Sequence, residues 1–253
     1  MNYDTLKVRF EDEICRLQFH RPEAKNTIND QLIDECRQVV EVCHRQAKVL
    51  VLEGLPEVFC FGADFDSIAQ QVSSRTASVS SPEPMYDLWL ELASGPFVTV
   101  AHVRGQANAG GIGFVAACDL VLADKKAQFS LSELLFGLMP ACVLPFLVRR
   151  TGFQKAHAMT LMTKPVAVEE AHRWGLVDMF SDDSESLLRQ HLLRLRYLNK
   201  TAIKRYKSYM NQLDGSLDEA KPKALAANLE VFNDKDNLTK IARYVETGQF
   251  PWE

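Results

Sequence analysis

A single turn limits what this chain can fold into. Gly105-Gln106-Ala107-Asn108-Ala109-Gly110-Gly111-Ile112-Gly113 follows the β-rich run Phe97 to Val103 and opens into the apolar Phe114 to Cys118. A strand that meets a glycine-rich turn and then a helix leaves backbone N–H groups without partners at the helix start, where the helix dipole adds partial positive charge. That spot suits an oxyanion. Asp119 to Asp124 then reads as another strand, so strand, turn, helix and strand alternate as in a parallel sheet. About twenty residues past the turn, Glu133 stands among Leu131, Leu134, Leu135 and Phe136, where loss of water would raise its pKa and fit it for acid or base chemistry.

The same outline occurs once upstream. Lys48 to Glu53 is short and continuously apolar in its middle, as a covered parallel strand should be. The loop Gly54 to Asp64 follows, ends in Phe59-Cys60-Phe61-Gly62-Ala63-Asp64 and runs into a short helix, Phe65 to Gln71, giving a second set of helix-start N–H groups. Before it, Leu6 to Phe19 alternates around the acidic turn Glu11-Asp12-Glu13 as a β-hairpin. Asn29 or Asp30 caps a helix whose Leu32, Cys36, Val39 and Cys43 recur at helical spacing. Val72 to Pro84, rich in serine and proline, reads as a surface loop, and Met85 to Ala93 as a helix. Beyond Leu144 the pattern is helical, over 144–150, 154–162 and 168–174, with one last strand at 177–180. Helices then fill 184–199, 200–213, 217–233 and 236–247. The fold class is α/β, with a helical C-terminal region: 1–183 as core, 184–253 as extension.

The 253 residues, 47% of them apolar, are enough for a large core. A net charge of −4 argues against a nucleic-acid partner, and the chain has neither a run of eighteen apolar residues nor a basic, apolar leader, so a cytoplasmic protein without membrane contact is expected. The six cysteines form no C-x-x-C pair and read as buried free thiols. None of the six histidines shows ligand spacing, so no metal and no cofactor are expected, and His102 reads as a core residue within a strand.

Further motifs join these: Arg21-Pro22 with Asn26, Cys118-Asp119, Ala127-Gln128-Phe129, Gly137-Leu138 with Pro140, and Gly175-Leu176-Val177. In this order and spacing the chain resembles the crotonase superfamily, the enoyl-CoA hydratases and isomerases. The resemblance implies a spiral of β/α turns, C-terminal helices that pack on a neighbouring subunit in a homotrimer or hexamer, and a thioester carbonyl held by the N–H groups of Ala63 and Gly110. It also implies Glu133 as the catalytic carboxyl.

Departures narrow the expectation. Hydratases of the superfamily usually carry two catalytic glutamates, and the first position is here Gly113. Phe61 and Ala141-Cys142-Val143-Leu144 replace smaller residues, and Glu23 and Asp66 stand where many members meet the nucleotide phosphates of CoA. With Gln106 to Gly113, Ser130 to Gly137 and the ending Tyr244 to Trp252, the chain is similar to the PksH-type dehydratases of bacterial polyketide β-branching. That similarity implies removal of water from a 3-hydroxy-3-methylglutaryl group on an acyl carrier protein, giving 3-methylglutaconyl. Asn108, Tyr86 or a C-terminal basic residue would meet the distal carboxylate, and the basic run Arg194, Arg196, Lys200, Lys204, Arg205 and Lys207 would dock the acidic carrier. An ordinary enoyl-CoA hydratase or isomerase, a decarboxylase, and a catalytically silent scaffold are the alternatives.

Overall fold

The computed structural model describes residues 3–73 and 81–253. β1 (Leu6–Glu11) and β2 (Ile14–Phe19) make the antiparallel hairpin, and α1 (Asp30–Gln46) starts on Asn29, whose side chain accepts the Leu32 N–H. Three turns of a spiral follow, each a long strand, a three-residue strand and a helical segment. The first is β3 (Val49–Glu53), β4 (Val58–Cys60), α2 (Phe65–Ser73) and α3 (Glu83–Ser94). The second is β5 (Val98–Val103), β6 (Gln106–Asn108) and α4 (Gly110–Ala117). β7 (Leu120–Asp124), β8 (Gln128–Ser130), the 3-10 turn Glu133–Phe136 and α5 (Leu144–Thr151) form the third. α6 (Phe153–Met162), β9 (Val166–Ala167), α7 (Val168–Arg173) and β10 (Met179–Ser181) lead to α8 (Ser184–Leu195), α9 (Lys200–Leu213), α10 (Ser216–Asn233) and α11 (Lys235–Thr247).

Stacking the turns builds two sheets. The larger sheet has the order β1-β2-β3-β5-β7-β10, parallel throughout after the hairpin, and the smaller has the order β4-β6-β8-β9. Every residue of β3 is buried, because helices cover both faces of the larger sheet. On one face lies the main core; on the other, Leu187 and Leu188 of α8 pack on Val49, Val51, Val100 and Leu122. Serine-rich residues 74–80, within the expected loop, lie outside the described residues, and its two ends are helical, in α2 and α3.

The α8-facing side of the larger sheet also carries a charged cluster. Arg16 binds Glu53 through Nε and Nη2, at 2.8 and 2.7 Å, and His102 Nδ1 lies 3.1 Å from the same carboxylate. Register explains it, since Glu53 and His102 are direct partners across β3 and β5. Burial alone would raise Glu53; the hydrogen bonds of His102 and Arg16 outweigh it and hold the carboxyl at about 2. His102 is therefore a core residue, fully buried. All six cysteines are buried and unpaired.

The basic run does not form one face. α8 ends at Leu195, leaving Arg194 and Arg196 exposed at its C-terminus. Lys204 and Arg205 are exposed on α9, but Lys200 is half-buried with Nζ donating to Cys43 O. Lys207 is buried: its Nζ lies 2.6 Å from Asp119 Oδ2 and donates to the carbonyls of Leu92 and Phe97. It ties α9 to the start of β5 and is not open to a docking partner. Among the described residues no helix is long and apolar enough to cross a membrane.

Candidate active site

Short strands aim both helix starts at one place. Gly62 closes the loop after β4 at φ +93°, and a Cβ on it would fall 2.6 Å from that of Ala109 and 3.4 Å from Gly110 N. Only glycine allows that approach and that backbone angle. Ala63 is bridged to Ile28: the Ile28 N–H donates to Gly62 O and the Asp64 N–H donates to Ile28 O, so the Ala63 N–H between them takes no part. The Gly110 N–H is the first of α4 and has no helical acceptor.

The motif at Arg21 to Asn26 braces this corner. Arg21 Nη2 binds Asp64 Oδ2 at 2.9 Å and its Nη1 donates to Thr27 O; buried Asn26 donates to the carbonyls of Val58 and Phe59 on β4. Ala109, the residue before Gly110, sits at φ 51° and ψ −120° with its N–H on Ser130 O. A non-glycine residue in that region stores strain of about 1–3 kcal/mol, a mark of a site whose geometry is imposed by its surroundings.

Ala63, Gly110 and Glu133 all line one cavity of about 1230 Å³. Glu133 begins the 3-10 turn after β8. Its Oε2 is out of contact with solvent and has no hydrogen-bond partner among the described residues. Burial pushes the carboxyl up to about 7, against the N–H groups of Glu133 itself and of Ser132, which pull it down. A carboxyl balanced near neutrality can both take and return a proton. Asp64, also buried at the cavity, is held below the usual range because the Ser67 N–H and Arg21 outweigh its burial.

Two expected substrate contacts are not free to serve. Asn108 lines the cavity, but its Nδ2 donates to Phe61 O and Ser132 Oγ while its Oδ1 accepts from Ser130 Oγ, so it holds β6 to β8. Tyr86 is fully buried outside the cavity lining, with its hydroxyl donating to Leu217 O, and burial raises its pKa. The α3 face that carries it points into the core. Two features were missed by the sequence. The outer wall belongs to α11 and the C-terminus, where Phe65, Phe136, Tyr244 and Phe250 form an aromatic cluster. Trp89 lines the inner wall, over Gly113: a Cβ at that glycine would come within 2.4 Å of the indole. A glycine inside an apolar helix was the only hint of it.

The enoyl-CoA hydratase/isomerase family model matches residues 9–253. The chain belongs to that family. Bacillaene synthase dehydratase PksH of Bacillus subtilis is 60% identical over 254 residues, covering 100% of this chain and 98% of PksH. A crystal structure of the Bacillus subtilis protein, described as a polyketide biosynthesis enoyl-CoA hydratase, superposes with a TM-score of 0.97 over 99% of this chain and 100% of that one. The 2,3-dehydroadipyl-CoA hydratase of Escherichia coli is 29% identical over 70% of this chain and 70% of its own. An enoyl-CoA hydratase/isomerase structure from Acinetobacter baumannii, 22% identical, shares the fold with a TM-score of 0.86 over 96% of this chain and all of its own. As a member of the enoyl-CoA hydratase/isomerase family, the protein is an enzyme of the hydratase and dehydratase type with the crotonase fold.

Proposed function

We propose that the protein removes water from a 3-hydroxyacyl thioester in polyketide β-branching, with 3-hydroxy-3-methylglutaryl on an acyl carrier protein as substrate and 3-methylglutaconyl as product. The observation that carries this is Glu133: one buried carboxyl, raised to about 7, in a cavity with two unengaged N–H groups. The thioester oxygen lies between the Ala63 and Gly110 N–H groups. Glu133 takes the C2 proton, the enolate oxygen is stabilised by the two donors, and the hydroxyl leaves from C3 with that proton. Each such donor is worth about 3–4 kcal/mol of barrier.

Charge at the cavity favours a carrier over CoA. Exposed Glu23 and Asp66 line it and would repel the phosphates of a nucleotide, while Lys25 and Lys235, also lining, are the cations to receive the distal carboxylate. Arg194, Arg196, Lys204 and Arg205 are the part of the basic run open to an acidic carrier. Leu161 and Met162, exposed apolar residues at the end of α6, are where a homotrimer would close. The functional test is Glu133→Gln: loss of dehydration with retained binding supports the assignment, and an unchanged rate removes it.

A further inference from the structure

Elimination also needs something for the departing oxygen, and among the described residues the one other buried acid lining the cavity is Asp64. Asp64 is bound to Arg21, and Glu23, Asp30 and Asp66 are exposed. Four buried side-chain atoms have no hydrogen-bond partner among the described residues: Trp89 Nε1, His102 Nε2, Arg104 Nε and Glu133 Oε2. His102 and Arg104 belong to the charged cluster on the far face of the larger sheet. The other two belong to residues that line the cavity, Trp89 and Glu133.

The Trp89 indole meets Phe114 and Phe146 edge to face, with centroids 5.7 and 5.8 Å apart, and is fully buried. It also fills the volume that any side chain at residue 113 would enter, with Cε2, the carbon bonded to Nε1, 2.7 Å from the position of a Cβ there. A buried indole N–H ordinarily finds an acceptor, since leaving it unpaired is costly. We infer that the Trp89 N–H is a catalytic hydrogen-bond donor to the oxygen that leaves C3, acting where residue 113 contributes no side chain.

The inference rests on the dehydration reading. Glu133 carboxylate accepts the C2 proton and the electron pair moves onto the thioester oxygen; as the carbonyl re-forms, C2=C3 forms and C3–O breaks. The oxygen takes the proton back from Glu133 and leaves as water. Trp89 keeps its own proton, and its hydrogen bond strengthens as the oxygen gains negative charge.

Two replacements test it: Trp89→Phe, and the benzothiophene analogue of tryptophan at position 89, which keeps the shape and lacks the N–H. Dehydration is followed beside exchange of the C2 proton in deuterium oxide with a thioester lacking the 3-hydroxyl, a reaction that needs Glu133 and the two backbone donors but no leaving oxygen. Both variants should lose about 10- to 100-fold in kcat with KM within about threefold, and should exchange at the wild-type rate. Dehydration unchanged, or dehydration and exchange falling together, overturns the role of Trp89 while the dehydratase stands. Exchange without water loss in the wild-type protein overturns the dehydration reading, and the inference with it.

Discussion

Glu133 carries two consequences that can be separated from one another. As a base with a folded pKa of about 7, it should make kcat/KM rise with pH through that value, and Glu133→Gln should lower kcat by about a hundred- to ten-thousandfold. Its pKa is raised above the ordinary glutamate value of about 4.5, so the folded state holds the proton more tightly than the unfolded chain. Stability is therefore lost as pH rises from about 4.5 to 7 and changes no further above that. Thermal unfolding should show Glu133→Gln gaining on the wild type across that window and level outside it; a constant difference would mean that the carboxyl is not desolvated. Gly113 yields a packing prediction: even Gly113→Ala drives a methyl into Trp89 and should cost about 1–3 kcal/mol in denaturant unfolding. Glu53→Gln, which removes the negative charge that Arg16 and His102 share and turns one of its acceptor oxygens into a donor, should cost about 3 kcal/mol.

Among the elements, the long strands and the helices were legible in the sequence because each repeats a period over five residues or more. α9 runs over the expected residues and β5 begins within one of its expected start. The strands β4, β6 and β8 were not legible, being three residues long and paired entirely with distant segments. These strands nevertheless bring Ala63, Gly110 and Glu133 to one cavity. Residue type alone also could not give direction. Tyr86 and Lys207 have the chemistry to meet a carboxylate or a carrier, but both lie on helix faces turned to the core. Lys207→Met should then destabilise α9 against the sheet by about 3 kcal/mol and leave KM for carrier-bound substrate unchanged. Lys204→Glu with Arg205→Glu should raise that KM without a stability change.

For the whole molecule, the spiral explains why a helix from the end of the chain covers a site built near its middle. α11 packs on α2, and its Tyr244 meets Phe65 and Phe136, so the C-terminal region closes the outer wall of the cavity. Leu161 and Met162, exposed at the end of α6, lie on the same segment as Thr163 and Pro165, which also line it. Assembly through Leu161 and Met162 would couple subunit contact to the shape of the site: Leu161→Asp with Met162→Asp should yield a smaller species by light scattering and a weakened enzyme. The most direct test of the central claim is intact-mass analysis of an acyl carrier protein loaded with 3-hydroxy-3-methylglutaryl, before and after exposure to the wild-type protein and to Glu133→Gln. Loss of one water with the wild type, and none with the variant in the same time, is the predicted result. Loss of carbon dioxide, or equal loss of water with both proteins, would contradict it.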